Sequence, residues 1–180
     1  MKADAANSPT GGVGAPERAT LAAEIHDLYD GQGDGDRLLA AFRAAALYVP
    51  FGQSAEDAGE ANGTQGDAMC SGEADGVRWL YAFTSTTELE RFARARVEAG
   101  TGPGWVSGRI RYWTVLGSRL LDIAVPAAVA ESRTPTGVAV DVGGIRPLLL
   151  PPLSGVVPDQ VAVDLIDRTS GTRPRSAGEA

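Results

Sequence analysis

The segment Gly76-Val-Arg-Trp-Leu-Tyr-Ala-Phe-Thr-Ser-Thr-Thr-Glu-Leu-Glu-Arg-Phe-Ala-Arg94 limits the folds open to this chain more than any other. Val77, Trp79, Tyr81 and Phe83 alternate with Arg78, Leu80, Ala82 and Thr84, which is the period-two pattern of a strand with one aromatic face. Ser85-Thr-Thr-Glu88 then has the spacing of a capping box, in which the hydroxyl accepts from an orphan amide and the glutamate reaches back. Leu89, Phe92 and Ala93, with Val97 continuing the spacing, form the apolar stripe of a helix, and Gly100 marks its end. A strand feeding directly into a capped helix requires a sheet with a helix on at least one face.

The flanking segments extend the pattern. Leu21, Ile25 and Leu28 recur at helical spacing between Pro16 and Tyr29. A second helix begins at Asp34 or Asp36 with a stripe of Leu38, Leu39, Phe42 and Ala46. It leads into a short strand, Leu47-Tyr-Val-Pro-Phe51, whose Pro50 predicts an edge or a turn because proline donates to no ladder. Residues 110–116 read as a strand, and 117–125 as a short helix stopped by Pro126. The runs 137–142 and 147–150, separated by Gly143-Gly144, read as a hairpin. The segment 156–166 fits helix and strand equally.

Residues 52–76 lack periodicity and contain Glu56, Asp57, Glu60, Asp67, Glu73 and Asp75 with no basic residue. Removing these six from the 23 acidic residues leaves 17 against 16 basic ones, so the net charge of −7 has a local source. A flexible acidic loop is the expectation, with flexible tails over 1–16 and 167–180 and one domain over 17–166. A chain so balanced elsewhere gives no support to nucleic-acid binding. No apolar run approaches the ~20 residues of a membrane span, and the N-terminal stretch lacks a signal-peptide core. A cytoplasmic protein without membrane contact is expected.

Residue types for chemistry are scarce. Asp30-Gly-Gln-Gly-Asp-Gly-Asp36 begins like a calcium loop, but Arg37 and Ala41 stand where an aliphatic residue and a bidentate glutamate belong, so it reads as an inter-helix turn with an aspartate cap. His26 is the sole histidine and is expected to be partly buried beside the first helix's stripe. Cys70 is the sole cysteine, and carboxylates nearby are expected to raise its pKa. No cofactor, metal site or catalytic set is expected. The candidate binding residues are Trp105, Arg109, Arg111 and Trp113, in the one basic and aromatic run; core packing is the competing reading for its rings.

The chain resembles the N-terminal domain of the SseB family, small bacterial α/β proteins. The likeness is carried by Leu38-Leu39 with Leu47-Tyr-Val-Pro50, Trp79-Leu-Tyr-Ala-Phe-Thr-Ser85 with Leu89 and Phe92, Leu120-Leu121, Val138–Gly143 and Leu148–Pro151. It spans residues 36–152. Asp141-Val-Gly-Gly144 departs from the Asn-Pro-Gly turn common in such domains. The resemblance implies an α/β (α+β) fold, a small mixed sheet packed with helices. For function, the absence of a catalytic constellation points to a non-catalytic protein-binding or adaptor domain. The family's name, which refers to enhanced serine sensitivity, suggests the alternative of a regulator or enzyme linked to amino-acid metabolism.

Overall fold

Local signals account for most elements in the computed structural model, which describes residues 15–52, 68–100 and 110–165. Helix α1 (Ala15–Tyr29) buries Leu21 and Ile25. Asp34 caps α2 (Gly35–Ala44) by accepting from the Arg37 amide at 2.9 Å, and Leu38 and Phe42 form its buried face. Strand β1 (Ala46–Gly52) follows after Ala45, so Ala46 belongs to the sheet and not to the helical stripe. His26 is exposed because it lies off the buried Leu21–Ile25 row of α1, and Leu28, though in line with that row, is exposed in the last turn of the helix. His26 pairs instead with Asp30 and contacts Arg146.

Part of the segment expected as an acidic loop is regular structure. Residues 53–67 lie outside the described residues, but β2 (Ala68–Met69) and β3 (Ser71–Ala74) are paired strands. β3 forms a hairpin with β4 (Val77–Ala82) through Asp75 and Gly76, whose φ angles are 54° and 74°. Two successive positive φ values are what a two-residue type I′ turn requires.

Helix α3 (Thr86–Glu98) starts where expected, with Ser85 Oγ accepting from the Glu88 amide at 3.2 Å. The Glu88 carboxylate turns to Arg91 at 2.9 Å. Leu89, Phe92 and Ala93 are buried and Val97 is exposed. After β5 (Tyr112–Leu116) the chain forms one helix in three sections: Gly117–Arg119, a π-helical Leu120–Ala124, and Val125–Ser132; together they are α4. Pro126 therefore does not stop it. The wider π turn brings Pro126 to the start of the last section, where a missing N–H costs little. Strands β6 (Thr136–Val140) and β7 (Leu148–Leu150) form the expected hairpin, with Val138 opposite Leu150. The ambiguous C-terminal segment is a 3₁₀ turn, Asp159–Val161, followed by a helical turn at 163–165.

Two sheets result, ordered β2-β1-β5 and β3-β4-β6-β7. They meet where Tyr48 and Phe83 exchange both backbone hydrogen bonds, each at 2.9 Å. Beyond that bridge β1 and β4 diverge, and Cys70 fills the apex of the fork: its N–H donates to Pro50 O and its carbonyl accepts from the Tyr81 amide. Pro50 is thus interior to the sheet, contrary to the edge position its chemistry suggests. It stands on the side of β1 that faces the apex, and lacking an N–H it leaves the Cys70 carbonyl to Tyr81.

Both sheet faces are covered. Leu47, Val49, Leu80, Ala82, Val138 and Val140 pack with residues of α1, α2 and α4 in the larger core. On the other face Phe83, Leu89, Phe92 and Ala93 form a second core, with Tyr48, Tyr81 and Cys70 against it. Phe83 is fully buried and its ring centroid lies 5.1 Å from that of Phe92. Phe83→Ala should cost about 3–5 kcal/mol in urea titration, and Ser85→Ala only about 0.5–2 kcal/mol. A Phe83→Ala variant as stable as Ser85→Ala would contradict this packing.

Candidate interface at the edge of the sheet

Of the run singled out in the sequence, Trp105 and Arg109 lie outside the described residues. Arg111 and Trp113 are brought together on a residue that sequence reasoning did not include. The Trp113 ring stacks on Phe51 with centroids 4.1 Å apart and planes 15° apart, and the Arg111 guanidinium lies 4.5 Å from the Phe51 centroid. On the opposite face Tyr112 meets Tyr48 edge-on at 5.3 Å. Phe51 is buried and Tyr48 packs against the second core, so the β5 rings rest on the margin of the interior. Tyr112, Trp113 and Leu116 remain 42%, 37% and 45% exposed.

The backbone of β5 divides by parity. Phe51 N–H donates to Arg111 O, Gly117 N–H donates to Ala45 O, and Trp113 and Val115 stand opposite Val49 and Leu47. Odd-numbered residues therefore turn their amides and carbonyls to β1, and Tyr112, Thr114 and Leu116 turn theirs outward. Among the described residues no strand pairs with that outward side. Of the other terminal strands, β2 and β3 are short and border the fork, and β7 is short and lies between Pro147 and Pro151-Pro152, a common way of blunting an edge. β5 has no proline and no lysine. The run Tyr112-Trp-Thr-Val-Leu116 was legible as a strand, but its edge position depends on which distant strand pairs with β1.

A second cluster lies at the carboxyl ends of the parallel strands β4 and β6, where α/β sheets often bind ligands. Asp141, buried and with φ 50°, accepts from the Thr84 amide at 2.9 Å and from the Thr84 hydroxyl at 2.7 Å. Both oxygens are thereby engaged in fastening the β4–α3 corner to the β6–β7 turn. Burial raises the Asp141 carboxyl above its ordinary value, against the lowering effect of the two Thr84 bonds. Gly144 lies close by: a Cβ there would stand 2.8 Å from Asp141 O and from Glu88 Oε2. Cys70, at the fork apex, is pushed up to about 11, and the cause is burial, partly offset by Arg96, not the carboxylates invoked from the sequence. Among the described residues no group of three or more His, Cys, Asp or Glu is placed to hold a metal, and no helix is long and apolar enough to cross a membrane.

The family model for the SseB protein N-terminal domain matches residues 21–153, from α1 to just beyond β7. The chain belongs to the SseB family. No curated protein and no solved structure matches it. The matched span of this SseB-family domain contains β5, the fork and the Asp141 latch.

A raised carboxyl means the folded state binds the proton more tightly than the unfolded state. The stability this contributes is complete below the ordinary aspartate value of ~3.9 and is lost as pH rises through the raised folded value. Asp141→Asn carries no such charge and tolerates the positive φ. The wild type should therefore lose stability relative to Asp141→Asn as pH rises from about 3.5 to 7 in denaturant titrations. A wild type that gains on the variant over that range would show a lowered carboxyl instead.

Proposed function

We propose that this SseB-family domain is a non-catalytic protein-binding module that takes an extended polypeptide segment as an added strand on β5. The observation that carries this is the outward row of Tyr112, Thr114 and Leu116, open among the described residues and flanked by half-exposed rings. An added strand gains main-chain hydrogen bonds from such an edge and side-chain specificity from alternate positions. Here Trp113 and Arg111 on Phe51 would contact one face of the incoming segment, and Tyr112 and Leu116 the other. The non-catalytic reading draws support from two shielded reactive groups, the buried Asp141 and the half-buried Cys70. Both Asp141 oxygens are occupied by Thr84, and the Cys70 thiol, at about 11, is protonated at neutral pH. A cytoplasmic setting, with another protein as partner and no cofactor, membrane or nucleic acid, completes the proposal.

Selection of random peptides on the domain, followed by hydrogen exchange of the bound complex, tests it. Bound peptides should slow exchange at the amides of Tyr112, Thr114 and Leu116 and leave Leu149 of β7 unchanged. Protection confined to another surface would count against the edge as the interface. An amino-acid panel in a thermal-shift assay addresses the metabolic alternative, since a ligand at 100 times its Kd stabilises by ~2.7 kcal/mol. A shift of several degrees with serine would favour that alternative.

A further inference from the structure

The outward edge of β5 has a further property, which concerns its own sequence. In an antiparallel pair, an outward-facing residue must lie opposite another outward-facing residue if both amides and both carbonyls are to be used. When β5 is laid against a second β5 about a twofold axis, three registers near its middle meet this condition, centred on Trp113, Thr114 or Val115. Centring on Trp113 sets Leu116 against the partner's Ile110, outside the strand. Centring on Val115 sets Tyr112 against the partner's Ser118, already in α4. Only the Thr114 register pairs every residue of Tyr112–Leu116 with another residue of that strand.

The side chains suit that register. Tyr112 meets the partner's Leu116 on one face, and Trp113 meets the partner's Val115 on the other. Thr114 meets the partner's Thr114 at the axis. Aromatic with aliphatic and threonine with threonine are favourable cross-strand pairs. Charge is compatible too. Arg111, at the strand's margin, falls opposite the partner's Gly117, so no like charges face each other over residues 111–117.

We infer that the strand added to β5 is, in the first instance, β5 of a second copy of this chain, paired antiparallel about a twofold axis at Thr114. The inference rests on the reading of the β5 edge as the interface and names its occupant. Closed twofold pairs are the commonest oligomers, because one self-complementary patch serves both partners. The pairing would join the β2-β1-β5 sheets of two copies into one continuous sheet and close an edge with which no described strand of the same copy pairs.

The test uses the full chain with Cys70→Ser as background and Thr114→Cys added. Residues opposite each other in such a hydrogen-bonded pair have Cα atoms about 5.5 Å apart, within disulfide range. Mild oxidation should give a covalent dimer on a non-reducing gel, and Leu149→Cys on β7 in the same background should give none. Sedimentation equilibrium supplies a second measurement. The wild type should be dimeric at a concentration where Thr114→Lys, which sets two like charges face to face, is monomeric with an unchanged circular dichroism spectrum. Equal cross-linking at 114 and 149 overturns the inference, as does a dimer that survives Thr114→Lys or a wild type that stays monomeric throughout. A monomeric wild type whose Tyr112, Thr114 and Leu116 amides are still protected by selected peptides would reject the second copy and leave strand addition itself standing.

Discussion

The fold depends on a fork in its sheet. β1 and β4 are held together by the reciprocal Tyr48–Phe83 bonds and then part, and Cys70 occupies the gap with its amide on β1 and its carbonyl on β4. Pro50 suits this arrangement, having no amide of its own to place on that side. Any other residue there would present an amide on the same side and compete for the carbonyl that Tyr81 uses. From this one junction follow the continuity of the two sheets, the insertion of β2 and β3 between β1 and β4, and the burial of Cys70. Arg18 supports the same side of β1 by donating to Ala46 O at 2.9 Å and lying 4.9 Å from the Tyr48 ring centroid. Backbone groups along that side of β1 thus find four different kinds of partner: a guanidinium, β4, Cys70 and β2.

The fork also assigns roles to the strand's two faces. Even-numbered Tyr48 joins Phe83 and Tyr81 under α3, and odd-numbered Leu47 and Val49 join the larger core beneath α1, α2 and α4. β5 lies beyond this protection. It is held by β1 on one side, and its rings rest on Phe51 and Tyr48 with much of their surface left to solvent. Among the described residues β7 is bracketed by prolines, whereas β5 has none and carries the partly exposed rings of Tyr112 and Trp113.

Sequence reasoning reached the elements whose signals are local. The capping serine, the Leu89–Phe92–Ala93 stripe, the Asp34 cap and the β6–β7 hairpin each depend on residues a few positions apart. It missed β2 and β3 because Ala-Met-Cys-Ser-Gly-Glu-Ala has no β-branched or aromatic residue, although Asp75-Gly76 is a strong hairpin signal and points back to β3. It ended α4 early because a proline was read as a stop without allowance for a π turn ahead of it. It placed Pro50 at an edge because the need for a missing donor arises only when Cys70 and Tyr81, 20 and 31 positions on, are in place. At the candidate interface, Arg111 and Trp113 were legible as an unusual run, but Phe51 beneath them was not, since cross-strand register is set by the whole sheet.

If the Tyr48–Phe83 bridge and the Cys70 apex unite the two sheets, they must open together. Native-state hydrogen exchange in increasing denaturant measures this directly. The slowest amides of β1, such as Leu47 and Tyr48, should converge with that of Phe83, just past β4, and those of β6, such as Val138, on a single opening free energy equal to that of global unfolding. Exchange of β1 through a separate opening, at lower free energy and with β4 and β6 still protected, would mean that the sheets are independent units.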